Sequence, residues 1–198
     1  MSDLTVSDLT GLIARIASDH PEDAATHLRD AGIADAVAGE EAVDVAVALG
    51  QWSLSGALEL LALDARAVPA DALVAAVLVG AGQTCVALGT AYARQREVFG
   101  KPLAKQPVQR QAFADVATAL AAALALVRRA RAPHGTPLEL LACVPLAADA
   151  AWAAAEAALQ VHGGYGYTDE YEVSGRWQEL LEVTSGVDRG AYDAALVG

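Results

Sequence analysis

ALVAAVLVGAGQTCVALGTAYARQRE, running from Ala72 to Glu97, is the stretch whose reading decides the fold. Leu73, Val77, Gly80, Thr84, Leu88 and Ala91 recur three or four positions apart, which lines them along one side of an α-helix. Pro69 stands just before this run and Gly100-Lys101-Pro102 just after it, so the spacing predicts one long helix over 72–97.

Working outward, Pro107 opens a second predicted helix over 107–132, with Val108, Ala112, Val116, Ala119, Ala123, Leu126 and Ala130 on one stripe. Pro133-His134-Gly135 stops it. A third is predicted over 137–161, its apolar or small side formed by Leu138, Leu141, Pro145, Ala148, Trp152, Ala155 and Leu159. Pro145 either kinks this helix or marks its true start. Beyond a turn at Gly163–Gly166, shorter helices are predicted over 170–183 and 187–197. Residues 1–66 read as a reduced helical region of three or four short amphipathic helices. HLRDAGIADAV (His27 to Val37) and EEAVDVAVALG (Glu40 to Gly50) are the clearest, with Gly32, Gly39 and Gly50 as stops. No interval alternates apolar and polar residues for long, so the expected fold is all-α: an antiparallel helix bundle over 70–198 with no strand between 72 and 132.

Composition agrees. The chain has 198 residues, 55% of them apolar and only 5% aromatic, a balance of alanine and leucine that favours packed helices. Its N-terminus lacks a basic region followed by an apolar core, and its apolar runs are interrupted by glycine, so a soluble, cytoplasmic protein is expected. Cys85 and Cys143 both fall within apolar helical patterns and read as buried free thiols. A net charge of -12 argues against nonspecific nucleic-acid or acidic-membrane binding. The charge is uneven, however. Arg94, Arg96, Lys101, Lys105, Arg110, Arg128, Arg129 and Arg131 cluster in one interval that holds only Glu97 and Asp115 against them. Such an island suits a phosphate-bearing ligand, although the last three arginines also complement the negative end of a helix.

Two motifs carry chemistry. In Tyr92-x-x-x-Arg96-x-x-Phe99-Gly100-x-Pro102-Leu103, a guanidinium offers paired donors to a diphosphate and an aromatic face can cover a purine. Taken alone, the segment also reads as an ordinary helix end that buries its aromatic. In Gln160-x-x-Gly163-Gly164-x-Gly166-x-Thr168-x-Glu170-Tyr171, three glycines in four positions let backbone amides approach a ligand closely. Taken alone, that motif is also a helix C-cap. His162 reads as a turn-packing side chain or a phosphate contact, and Trp152 and Trp177 as core or subunit contacts.

Together the motifs resemble the flavin-contacting segments of the acyl-CoA dehydrogenase family, and the likeness runs from about Ala72 to the C-terminus. The resemblance implies that Arg96, Phe99, Gln160, Gly163 and Gly164 reach across a subunit interface to the adenosine diphosphate end of FAD. The family usually has a glutamine eight residues after the phenylalanine; here Pro107 stands there, flanked by Gln106 and Gln109. The family's middle β-barrel domain has no counterpart, as if Leu63 had been joined almost directly to the helix near Ala72. Dehydrogenation also needs a carboxylate to take the α proton. The two family positions for that base fall on Val187 and Ala70, with Asp188 and Asp71 each one residue away, a displacement of about 100° on a helix.

The resemblance therefore points to a noncatalytic subunit, without a clear base, that docks on a full-length acyl-CoA dehydrogenase subunit or on itself and shares FAD. Acyl-CoA or an acyl-carrier thioester would be the substrate of the complex. Two alternatives stay open: a minimal autonomous enzyme with Asp188 or Asp71 as base, and a flavin-free helical scaffold.

Overall fold

The computed structural model describes residues 6–19, 23–33, 42–61 and 72–197. Nine helices follow one another among them: α1 (Val6–Asp19), α2 (Ala24–Asp30), α3 (Ala42–Trp52), α4 (Leu54–Leu60), α5 (Ala72–Gln95), α6 (Pro107–Arg131), α7 (Pro137–His162), α8 (Glu172–Ser185) and α9 (Gly190–Val197). Ala70, Asp71, Gly39 and the junction after Leu61 lie outside the described residues. Antiparallel α5, α6 and α7 form the expected bundle.

Helix α5 is its axis, because every residue from Ala72 to Gly82 is buried and this first half of the helix is therefore covered on all sides rather than along one stripe. Glycine allows that crowding. A Cβ at Gly82 would stand 2.7 Å from Leu120, and one at Gly89 would stand 2.6 Å from Phe113 and 3.1 Å from Ala158, so α6 and α7 close on α5 where it has no side chain. From α7, Ala147, Ala151, Ala154, Ala155 and Ala158 complete the contact, all with essentially no exposure. Thr136 opens α7 with a capping box: its hydroxyl accepts from Glu139 N at 3.2 Å while Glu139 Oε2 accepts from Thr136 N at 2.7 Å. The helix then passes through Pro145 without ending.

On the opposite side α3 lies against α5 at backbone distance, with Gly50 over Val77 and Gly80 over Val47. Gly50 is thus no stop; it sits inside α3, where its missing side chain is needed for the crossing. Gly32, with φ of 72°, does end the α2 region. Polar ties reinforce the junction: Arg128 bonds Asp44 at 2.7 Å, and the Ser53 hydroxyl donates to Glu179, which with Glu172 holds Arg176. One core cluster runs from Ile13 on α1 to Leu180 on α8.

Three differences from the sequence reading have physical causes. The α6 core side is Phe113, Val116, Leu120, Ala123, Val127 and Ala130, while Val108 is 76% exposed; alanine on nearly every face of this helix blurs its period. The interval 72–132 is not free of strand, since Glu97–Val98 (β1) and Lys101–Pro102 (β2) pair antiparallel as a two-residue hairpin, too short to show alternation. Lastly, Ala72–Gln95, Pro107–Arg131 and the run Pro137–Tyr167 are each long and apolar enough to cross a membrane by length and composition. The most apolar window of α5 is 72% buried within the protein and that of α6 only 28%, so α5 is the central helix and α6 leaves an apolar side outward.

Candidate functional site

The last turn of α5 brings the first motif to one end of the bundle. Arg96 N donates to Tyr92 O at 2.9 Å, continuing the helix, and Leu103 N donates to Arg96 O at 2.8 Å, closing the loop back onto it. Between them the hairpin turns at Phe99-Gly100, whose φ values of 54° and 72° are the signature of a type I′ turn. That turn favours Asn-Gly, and a phenylalanine there is strained by about 1 kcal/mol. Burial does not compensate, because Phe99 is 95% exposed. The ordinary helix end with a buried aromatic is thereby excluded.

Around the hairpin, Arg94, Arg96, Lys101, Lys105 and Arg110 are exposed, and no described carboxylate pairs with any of the five. The other arginines of the basic island sit in the last turn of α6, where Arg128 is held by Asp44 and Arg129 by Glu139.

The second motif emerges at the same end. Gly163 ends α7 with φ 60° and ψ -137°, a backbone region reserved for glycine. No atom lies within 4 Å of where a Cβ would stand on Gly163 or Gly164, so their backbone faces open space. Gly166, by contrast, is buried against Leu159 O and the His162 side chain. Gln160 is exposed one turn before.

An aromatic cluster joins the motifs. The Tyr92 ring stacks on His162 with centroids 4.1 Å apart and planes at 27°, and Tyr171 packs edge-on to both, at 5.9 Å and 5.5 Å. His162 is 6% exposed, and its Nδ1 lies 2.7 Å from Ala158 O. A carbonyl only accepts, so Nδ1 carries the proton. His162 packs the turn.

Arg96, Phe99, Gln160, Gly163 and Gly164 are all exposed, at the end of the bundle where Tyr92 meets His162. A cleft of about 620 Å³ is lined instead by Trp52, Ser53, Tyr171, Arg176 and Glu182. A free guanidinium, an exposed aromatic and an open glycine turn fit the diphosphate and adenine end of a dinucleotide, which periodicity alone did not require.

The base candidates are less well placed. Val187, at one family position, is a half-buried hydrocarbon packed on the core. The exposed Asp188 uses Oδ1 to accept from Gly190 N at 2.7 Å, at the start of α9. Next to it Arg189 makes a two-pronged ion pair with Asp149 on α7. Trp152 and Trp177 pack together at 5.6 Å, with Trp177 Nε1 donating to Glu156 at 2.8 Å. Both cysteines are buried and free; burial pushes the Cys85 thiol up to about 12 and Cys143 to about 11. Among the described residues no group of His, Cys, Asp and Glu is placed to hold a metal.

Comparison with known proteins gives this geometry a family. The chain is 36% identical over 104 residues to a (2S)-methylsuccinyl-CoA dehydrogenase of Cereibacter sphaeroides, a match covering 50% of this chain and 19% of that protein. It is 35% identical over 105 residues to a short-chain specific acyl-CoA dehydrogenase of Megasphaera elsdenii, covering 51% and 27%. The three-dimensional structure of butyryl-CoA dehydrogenase from the same organism superimposes with a TM-score of 0.58 at 26% identity, over 75% of this chain and 38% of that one. The chain therefore spans well under half the length of these relatives. Residues 71–187 match the model of the acyl-CoA dehydrogenase C-terminal domain, and this chain belongs to that family.

Proposed function

We propose that the chain is a noncatalytic subunit of a heteromeric, flavin-dependent acyl-CoA dehydrogenase, completing the adenosine diphosphate end of an FAD site. The remainder of that site would belong to a full-length dehydrogenase subunit. One observation carries this: Phe99 is held fully exposed on a strained turn, beside an unpaired Arg96 and an open Gly163-Gly164 turn. Strain and exposure together have no use within this chain, whereas they suit a side chain that is covered by a neighbour.

In the complex, the Arg96 guanidinium pairs the diphosphate, Phe99 covers the adenine, Gln160 and the Gly163 and Gly164 backbone bond the remaining polar atoms. Bound FAD supplies the hydride acceptor for α,β-desaturation of an acyl-CoA or acyl-carrier thioester. Proton removal falls to the partner, because Val187 is a hydrocarbon and the Asp188 carboxylate is engaged in starting α9. The outward side of α6, with Ala114, Ala117, Ala121, Ala122 and Ala125 exposed, supplies apolar surface for association with the partner or with a second copy. A cytoplasmic location accords with these roles.

The test is to purify the chain alone and co-expressed with a full-length acyl-CoA dehydrogenase from the same genome, measuring bound flavin, sedimentation and acyl-thioester oxidation. The expected result is a dimer or larger assembly, with flavin and turnover only in the pair. Stoichiometric flavin and turnover in the lone chain would make it a minimal enzyme. A chain with neither flavin nor partner would be a scaffold.

A further inference from the structure

The residues that would touch the dinucleotide come from two helix ends far apart in sequence, and a shared site works only if their spacing is fixed. No hydrogen bond or ion pair described between the motifs supplies that spacing. Rings do. Tyr92 stands one turn before Arg96 on α5, and His162 is the residue immediately before Gly163, so their stack lies directly behind both candidate contacts.

The imidazole is held in turn. Its Nδ1–H donates to Ala158 O one turn earlier on α7, which sets the ring plane. Tyr171 closes the edge of both rings, and Tyr165 within the glycine turn packs on Tyr171 at 5.8 Å. Gly166 folds the turn back onto the His162 Cβ, at 3.1 Å from the position of an added methyl. His162 is thus the point at which the end of α5, the glycine turn and the entry to α8 meet. At 6% exposure it does not itself face a ligand.

We infer that His162 is a positioning residue: through its stack on Tyr92 it sets the register between Arg96 and the Gly163-Gly164 turn, so that one ring pair aligns both halves of the dinucleotide surface. This rests on the nucleotide-end site proposed above. The claim concerns the ring face rather than the hydrogen bond, and two substitutions separate them. His162→Phe keeps a ring and removes the Nδ1 donor, whereas His162→Asn keeps an amide donor and removes the ring.

The probe is ADP titrated into the flavin-free reconstituted pair in which this chain alone is 15N-labelled, following the backbone amides of Arg96, Phe99, Gly163 and Gly164. Amide order parameters for residues 163–167 are recorded first, without ligand. In the parent protein, shifts at both segments should follow one binding curve. His162→Asn and Tyr92→Ala should each weaken ADP by about three- to tenfold, the range of one aromatic pair, and should lower the order of the 163–167 amides. His162→Phe should restore both readings to within about twofold of the parent. Combining Tyr92→Ala with His162→Asn should cost little more than either alone.

If Arg96→Ala weakens ADP while His162→Asn leaves both affinity and turn order unchanged, the nucleotide site stands and the positioning role is wrong. If ADP shifts neither segment and Arg96→Ala changes nothing, the site itself is wrong. A loss of turn order in His162→Phe equal to that in His162→Asn would assign the effect to the hydrogen bond and overturn the stacking role.

Discussion

Gly50 and Val77 meet with no room for a side chain between them: a Cβ on Gly50 would stand 1.9 Å from the Val77 carbonyl oxygen. The reciprocal pair, Gly80 over Val47, is as close at 2.0 Å. Two helices joined in this way keep a fixed crossing, since the obstacle on each side is backbone and cannot rotate away.

The first prediction concerns that crossing. Gly50→Ala must separate α3 from α5, and overpacking against backbone lies at or beyond the upper end of the usual range, about 3 kcal/mol. For a chain of this size the melting temperature should fall by about 6–12 °C. Gly175→Ala, at an exposed helical position with nothing within 4 Å, is the control and should raise the melting temperature slightly, by about 1–4 °C. A small drop for Gly50→Ala in a thermal melt would show that the helices can slide apart freely.

The second prediction concerns Phe99, where local stability and the proposed role oppose each other. Asparagine is at home at the first position of a type I′ turn, so Phe99→Asn should relieve about 1 kcal/mol of strain and raise the melting temperature by about 2–4 °C. The same variant should lose flavin from the reconstituted pair, for want of an aromatic face. Calorimetry on the lone chain and flavin retention in the pair check the two halves separately. A variant that is stabilised and still retains flavin normally would remove Phe99 from the site.

Much of this architecture was legible in the sequence. The long helices were foreseen because Pro107, Pro137 and the Pro133-His134-Gly135 stop punctuate stretches whose apolar period is near 3.6, and the observed bounds 72–95, 107–131 and 137–162 differ from the predicted ones by at most two residues. Gly50 misled because a glycine at the end of an apolar run has the same local signature whether it stops a helix or admits a neighbour, and only the fold supplies Val77. The β1–β2 hairpin was hidden because Phe99-Gly100 lacks the asparagine that announces its turn. Both motifs were visible as residue types, but their alignment through Tyr92 and His162 spans seventy residues and has no periodic trace.

The third prediction is a pH dependence. The Thr136 backbone N–H, followed by the Arg129 guanidinium, holds the Glu139 carboxyl below its usual value of 4.5. A depressed folded-state value contributes stability that is present above the unfolded value and is lost as pH falls through the folded one. Glu139→Gln should therefore melt below the parent at neutral pH, and the gap should close as the pH is taken below about 4. Melting curves of the two proteins across that range are the measurement. A gap that persists undiminished in acid would mean that the carboxylate charge contributes nothing at this cap.

The fourth prediction sets Arg96 against Asp188 in the reconstituted pair. Arg96 is exposed without a carboxylate partner among the described residues, so Arg96→Ala removes no ion pair and should leave the stability of the lone chain unchanged within about 0.5 kcal/mol. A charge-assisted bond to a diphosphate is worth about 1.5–3 kcal/mol, so FAD affinity of the pair should fall roughly 10- to 100-fold. Arg96→Lys keeps the charge but not the paired donors and should recover only part of that loss. Asp188→Asn retains an oxygen to accept from Gly190 N, so α9 should start as before and turnover should stay close to the parent value. Loss of a true general base would instead lower turnover by about two to four orders of magnitude. Flavin retention and turnover measured on the three variants thus assign the two residues independently: a pair that binds FAD normally without Arg96 rejects the nucleotide site, and a pair that stops turning over with Asp188→Asn gives this chain the catalytic base.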